Sequence, residues 1–228
     1  NLPNSTMIVG NGLIAKALQK IDAPEMVFFA SGVSNSLENN KKAFEREVNL
    51  LKKTIEENDG KKLIYFSTLS IEDQSKQDSA YVLHKIEIEN YIKNHCQNYL
   101  VLRIGNIVGN GGNENTLFNF LKNKIKGSEN FKLHTKARRL LVDMDDITRF
   151  LAEHSTVLNH QILNFAYPNY YNLKEMIVCI EEKLSKKAQF EEINEGDFYK
   201  IEFCNAVNSY FSNISAEDYL KKLVEKYI

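Results

Sequence analysis

The chain has 228 residues, 43% of them hydrophobic and 26% charged, with a formal net charge of −1. That composition folds rather than staying disordered, and the near-neutral balance offers no basic surplus for nucleic acid or an anionic membrane surface. No run approaches the ~18 apolar residues of a membrane span, and the length suffices for one substantial core with a small appended lobe.

The first readable element starts at Met7, which looks like a natural beginning after residues 1–6. Met7-Ile8-Val9 runs as a strand into Gly10-Asn11-Gly12-Leu13-Ile14-Ala15, and helical spacing continues to Ile21. In such a strand, turn and helix, Gly10 permits the turn, Gly12 lets a pyrophosphate approach the backbone, and small Ala15 lets helix and strand pack closely. The free N–H groups at the helix start favour an anion. A strand is predicted over Met26–Ala30, then a helix over Phe44–Glu57 that Asn58-Asp59-Gly60 closes. The apolar run Leu63–Thr68 reads as a strand ending in two hydroxyls. A helix over Ala80–Asn94 and a strand over Leu100–Ile104 follow, the latter running into a glycine-rich loop to Gly109. This alternation predicts an α/β protein with a parallel sheet and flanking helices. Beyond Gly109 the pattern is mixed, with an Asn/Gly loop over 110–115 and helices over 116–126, 172–186 and 216–228.

Chemistry concentrates on the helix after the hydroxyl-ended strand. Tyr81 and Lys85 stand at i and i+4, which places phenol and ammonium on one helix face. An adjacent ammonium favours the phenolate and lowers a tyrosine pKa from about 10. Such a phenol exchanges a proton with an alcohol or carbonyl oxygen, and Thr68 can set a hydroxyl beside it. His84, between the two, reads as a surface helix residue. None of the five histidines has metal-ligand spacing, so no metal is expected. Cys96, Cys179 and Cys204 are widely spaced without a C-x-x-C, as in reduced thiols of a cytoplasmic protein.

Taken in order, the glycine turn, the Thr68, Tyr81 and Lys85 set, and Tyr99–Gly109 resemble the extended short-chain dehydrogenase/reductases, in particular the NAD-dependent epimerase/dehydratase family acting on nucleotide sugars. Further matches are Phe28-Phe29-Ala30-Ser31-Gly32-Val33, the segment Arg138–Ile147, and the late strand Ile162–Ala166 with Asn164. The resemblance implies a Rossmann-like core over 7–109 and a substrate-binding lobe over 110–228, interleaved with it. It implies that Thr68 binds substrate, Tyr81 is the acid/base, and Lys85 holds the nicotinamide ribose and depresses the tyrosine pKa. Gly10, Asn11, Gly12, Leu13, Ile14, Ala30, Ser31 and Gly32 would line the cofactor. Asn106 and Arg139, or Arg138 in its stead, would meet the diphosphate of a nucleotide-sugar substrate, a task suited to the guanidinium fork. The family also implies a homodimer in which the helices over 44–57 and 80–94 pack against their copies, with Val48, Leu51, Ile55, Ile88 and Tyr91 available for apolar contacts.

The chain departs from that pattern at several points. No carboxylate ends the strand after the first helix, although a full Rossmann half places one roughly 20 residues past the glycines to bind the adenosine ribose. Either Met26–Phe29 is the second strand without its acid, or the usual second and third strands are missing. The single helix before the Thr68 strand favours the latter. With no acid near Gly32, and with Lys16 and Lys20 nearby, NADP is expected to be weakly preferred over NAD. Leu69-Ser70 follows Thr68 where the dehydratases carry Asp-Glu, and Glu47 stands where the family commonly has asparagine. The expected activity is thus an NAD(P)-dependent nucleotide-sugar 4-ketoreductase or 4-epimerase. The alternative is a binding protein of the same fold with weak or no turnover.

Overall fold

The computed structural model describes residues 6–112, 114 and 116–228; residues 1–5 and two positions of the 110–115 loop lie outside this description. In chain order the elements begin with β1 (Met7–Val9), α1 (Leu13–Leu18), β2 (Met26–Phe29), α2 (Lys41–Glu57), β3 (Lys62–Thr68), α3 (Ala80–His95) and β4 (Tyr99–Ile104). They continue with β5 (Asn106–Val108), α4 (Leu117–Lys126), β6 (Asn130–His134), β7 (Arg138–Arg139), β8 (Leu141–Asp143), α5 (Met144–His154) and β9 (Gln161–Phe165). The last are β10 (Tyr171–Asn172), α6 (Leu173–Leu184), β11 (Gln189–Ile193), α7 (Asn205–Tyr210) and α8 (Ala216–Tyr227). They form two compact units, one of residues up to Ile104 with Asp145–Asn164, the other of Gly105–Met144 with Phe165–Ile228.

The first unit is built on a five-stranded sheet in the order β1-β2-β3-β4-β9. Strands β1 to β4 run parallel, with Val9 opposite Phe29, Phe29 opposite Tyr65, and Thr68 opposite Ile104. All four residues of β2 are buried, as are the first six of β3. Inner strands of a covered parallel sheet read as near-continuous apolar runs for that reason. By contrast β1 is an edge, and Met7 is 40% exposed. A complete doubly wound sheet carries two more strands outside its first. Among the described residues none lies beyond β1, and β2 pairs with it directly. The sheet therefore lacks the usual second and third strands, and the adenosine side of a full Rossmann half is absent with them.

Local chemistry sets the helix ends. Asn40 starts α2 three residues before the predicted Phe44, because its side chain accepts the Lys42 N–H at 2.9 Å. Ser79 caps α3 through the Val82 N–H. Helix α1 stops at Leu18 rather than Ile21, and Thr6 pins the turn that follows by donating to the Ile21 carbonyl and accepting the Ala23 N–H. A core of Val27, Phe29, Leu51, Leu63, Tyr65, Ile88, Ile92, Tyr99 and Val101 joins the sheet to α2 and α3. Leu51 and Ile88 are buried within the chain, and half-buried Val48, Ile55 and Tyr91 pack against the same cluster.

In the second unit short strands pair far along the chain: β5 with β8 and β6 with β11 in parallel, β7 with β10 antiparallel. Helix α6 starts from a capping box of Asn172 and Glu175. The C-terminal α8 is held by Asp143, whose buried carboxylate pairs with Lys226 at 2.5 Å and accepts from the Tyr227 hydroxyl at 2.5 Å. The Asp143 N–H donates to the Tyr219 hydroxyl at 2.8 Å.

Candidate active site

Strand β3 delivers Thr68 to its C-terminal end, and the first turn of α3 presents Tyr81 to it. The Thr68 hydroxyl accepts the Ser70 N–H at 3.1 Å, which starts a short 3-10 turn, and lies close enough to the Tyr81 phenol to oppose the rise of its pKa. Neighbouring Ser67 is excluded from this role, because its hydroxyl donates to Glu89 at 2.7 Å inside the core. Glu89 in turn receives a bidentate pair from Arg103 at 3.0 and 2.7 Å. Arg103 also reaches Glu72, which binds the Asn164 amide at 3.0 Å. Asn164 is therefore engaged in a half-buried polar network with Glu72 and Arg103.

Lys85 is not where a free Tyr-Lys pair would leave it. Its ammonium lies 3.3 Å from both carboxylate oxygens of Glu47 and 2.9 Å from the Tyr65 hydroxyl. An ammonium has three donors, so all are engaged. Glu47 is fully buried and gathers further contacts: the Val33 N–H at 2.7 Å, the His84 ring at 2.9 Å, and the Tyr65 hydroxyl. His84, read as a surface residue from its helix position, is instead buried, stacked on Phe44 with centroids 4.4 Å apart. Burial alone would raise the Glu47 carboxyl. The hydrogen bonds from His84, Tyr65 and Val33 and the charge of Lys85 outweigh it and hold the group at about 2. For Lys85 desolvation wins over the Glu47 charge, and its pKa is lowered.

The tyrosine departs from expectation in consequence. Burial pushes the Tyr81 phenol up to about 12, with the Thr68 hydroxyl opposing and the Glu47 charge adding to the rise. The lowering expected from Lys85 does not occur, because burial of the phenol dominates and the charge of Glu47 adds to the rise. A carboxylate also stands near Gly32 after all. It comes from α2, not from the end of β2, and lies 3.1 Å from where a Gly32 Cβ would be.

Gly10 has φ +125°, and a Cβ there would lie 2.3 Å from the Ala30 carbonyl oxygen, so only glycine fits where β1 ends against the β2 turn. At Gly12 nothing lies within 4 Å of a Cβ position, and no side chain caps the N–H groups of Leu13 and Ile14 that follow. That open, uncapped turn fits a dinucleotide pyrophosphate. Ser31 is held by Arg46, which donates to its carbonyl at 2.8 Å and its hydroxyl at 3.3 Å. At the ribose end Lys85 is engaged by Glu47 and Tyr65. In the second unit Asn106 donates its side-chain amide to the Leu140 carbonyl at 3.2 Å. Arg139 is half-buried and bonds the Arg138 carbonyl at 2.9 Å, while exposed Arg138 lies over the Phe198 ring.

Sequence reasoning missed the role of Glu47 and its partners Tyr65 and His84. A signal was present: Glu47, Leu51 and Thr54 fall at i, i+4 and i+7 and form the buried face of α2, which puts a carboxylate where it must find a partner.

No protein-family model and no curated protein matches the chain. Solved structures do. The Bordetella bronchiseptica enzyme WbmH, determined with NAD+, aligns with a TM-score of 0.71 at 17% identity over 90% of this chain and 74% of its own. RMD from Pseudomonas aeruginosa, determined with NADPH, aligns with a TM-score of 0.71 at 12% identity over 97% and 98% of the two chains. UDP-glucuronic acid 4-epimerase from Bacillus cereus, determined with UDP-glucuronic acid and NAD, gives 0.68 at 17% identity over 95% and 78%. At 12–17% identity the likeness is one of fold: this chain shares the Rossmann-like α/β fold of these structures. Among the described residues no helix is long and apolar enough to cross a membrane.

Proposed function

We propose that this chain is a cytoplasmic NAD(P)-dependent oxidoreductase of nucleotide-linked sugars, acting as a 4-ketoreductase in preference to a 4-epimerase. The observation that carries the reading is the buried Tyr81 phenol beside Thr68 with the Lys85 ammonium 5.6 Å from its ring centre; burial pushes its pKa up to about 12. An acid of that strength stays protonated near neutrality and gives its proton to an oxygen that gains negative charge, as a reduced carbonyl does. Epimerisation also needs the reverse transfer, which a phenol so rarely ionised performs poorly. A bound nicotinamide would supply the hydride. Tyr81 protonates the sugar oxygen and Thr68 orients it. Gly10, Asn11, Gly12, Leu13, Ile14, Ala30, Ser31 and Gly32 hold the dinucleotide, within a cofactor core over 7–109. Asn106 and Arg139 meet the substrate diphosphate, Arg139 from a substrate lobe over 110–228. The truncated adenosine side suits a reductase, which releases its cofactor every turnover. A homodimer remains the proposed assembly, with Phe44 and the 54%-exposed Leu83 as its apolar contacts.

The test is reduction of a panel of nucleotide 4-ketosugars, followed by nicotinamide fluorescence. Tyr81→Phe should lower turnover ~10²–10⁴-fold with dinucleotide binding retained; near-wild-type turnover in that variant would remove Tyr81 from the mechanism. The engagement of Lys85 by Glu47 favours a second reading, a nucleotide-sugar or dinucleotide-binding protein with little turnover. Binding of NADPH without reduction of any panel member would select it.

A further inference from the structure

Glu47 reaches the site from α2, one turn before fully buried Leu51, so its carboxylate is held on a packed helix face. Both of its oxygens lie 3.3 Å from the Lys85 ammonium. The β2 turn closes over the pair: a Cβ on Gly32 would come within 2.8 Å of the Lys85 nitrogen, and the next residue, Val33, donates its N–H to Glu47 at 2.7 Å. Arg46, beside Glu47 on the same helix, ties Ser31 down at 2.8 Å. The turn over Lys85 is therefore fastened by α2 on either side of Gly32.

We propose that Glu47 is a positioning residue that holds the Lys85 ammonium beneath the Gly32 turn, 5.6 Å from the centre of the Tyr81 ring, and so sets the charge balance felt by that phenol. The proposal deepens the reductase reading and rests on it for its functional meaning, but its physical content belongs to the chain alone. Charged and titratable groups face this spot from every packed element: Glu47 and Arg46 on α2, Tyr65 on β3, His84 and Glu89 on α3. Glu89 is neutralised by Arg103 at 2.7 Å. His84 competes with Lys85 for the same Glu47 oxygen. From the β2 turn only backbone approaches. Among the described residues Glu47 is thus the carboxylate in direct contact with Lys85.

The experiment is a near-ultraviolet tyrosinate titration of the protein alone, taken as the difference between each protein and its Tyr81→Phe counterpart. In the wild type the Tyr81 midpoint should lie above the ordinary tyrosine value of about 10; a midpoint at or below that value overturns the proposal. Neutralising the carboxylate in Glu47→Gln should increase the phenolate fraction at a given alkaline pH about tenfold, and an unmoved midpoint in a folded variant refutes the role. Glu47→Asn serves where the glutamine variant does not fold; because burial by itself also lifts the wild-type midpoint, the shift between wild type and variant is the deciding reading. Because no cofactor or substrate is present, absence of turnover leaves this inference standing, while turnover with an unmoved Tyr81 curve sinks the inference and spares the reductase.

Discussion

Replacement of Glu47 by glutamine should change how the protein responds to acid. The Glu47 carboxyl is held at about 2 in the folded chain against an ordinary 4.5. A carboxylate whose pKa is depressed by folding contributes stability that is fully present above its unfolded value and is lost as pH falls through the folded one. At 1.36 kcal/mol per tenfold change in acidity, the gap corresponds to about 3 kcal/mol, all of it available above about pH 5. The two partners differ in sign, since desolvation lowers Lys85 as well. In the acid range only the carboxylate titrates, so the Glu47 side governs this limb. Urea denaturation of wild type and Glu47→Gln across the range should show the wild type more stable by about 3 kcal/mol near pH 6. That advantage should shrink below pH 4.5 and disappear near pH 2. The remaining carboxylates cancel in the difference. A gap between the two proteins that stays constant with pH would refute the reasoning, because it would mean that the charge of Glu47 contributes nothing.

Two glycines in one turn should separate folding from binding: Gly10→Ala should lower the melting temperature sharply, its Cβ lying 2.3 Å from the Ala30 carbonyl at φ +125°. Gly12→Ala should leave melting nearly unchanged, since nothing lies within 4 Å of its Cβ position, while weakening NADPH in a fluorescence titration; an unaltered affinity would remove the pyrophosphate from that turn. Tyr227→Phe should destabilise the chain by ~1–2 kcal/mol in urea melts, because it removes a hydrogen bond to the buried Asp143 carboxylate. Calorimetry with both reduced cofactors should find weak binding and a modest NADPH preference. The sheet ends at β1, Glu47 near Gly32 is paired with Lys85, and exposed Lys16 and Lys20 contribute only ~0–1 kcal/mol. Tight NADH binding with strong rejection of NADPH would show that a carboxylate does select the adenosine ribose.

What the sequence determined by itself was local or nearly so. The apolar runs specify β1 to β4 because inner strands of a covered sheet need little else. The Gly10-to-Ala15 spacing specifies the turn, and the i, i+4 offset of Tyr81 and Lys85 specifies a shared helix face. The single helix between Met26–Phe29 and the Thr68 strand was enough to indicate the missing strand pair, since strand count follows from the order of elements along the chain. The two- and three-residue strands β5, β7, β8 and β10 were not legible, because so short a segment has no period and exists only through a partner such as Leu141 opposite Asn106. The site's electrostatics were decided in the same way. Thr68 and Tyr81 are close in sequence and their meeting was foreseeable. Glu47 lies 38 residues from Lys85 and 18 from Tyr65, and no local rule connects them. Only the packing of α2 against α3 over β3 brings that carboxylate to the lysine. In a buried site the nearest opposite charge, and not spacing along a helix, fixes where an ammonium points and which protonation state its neighbours keep.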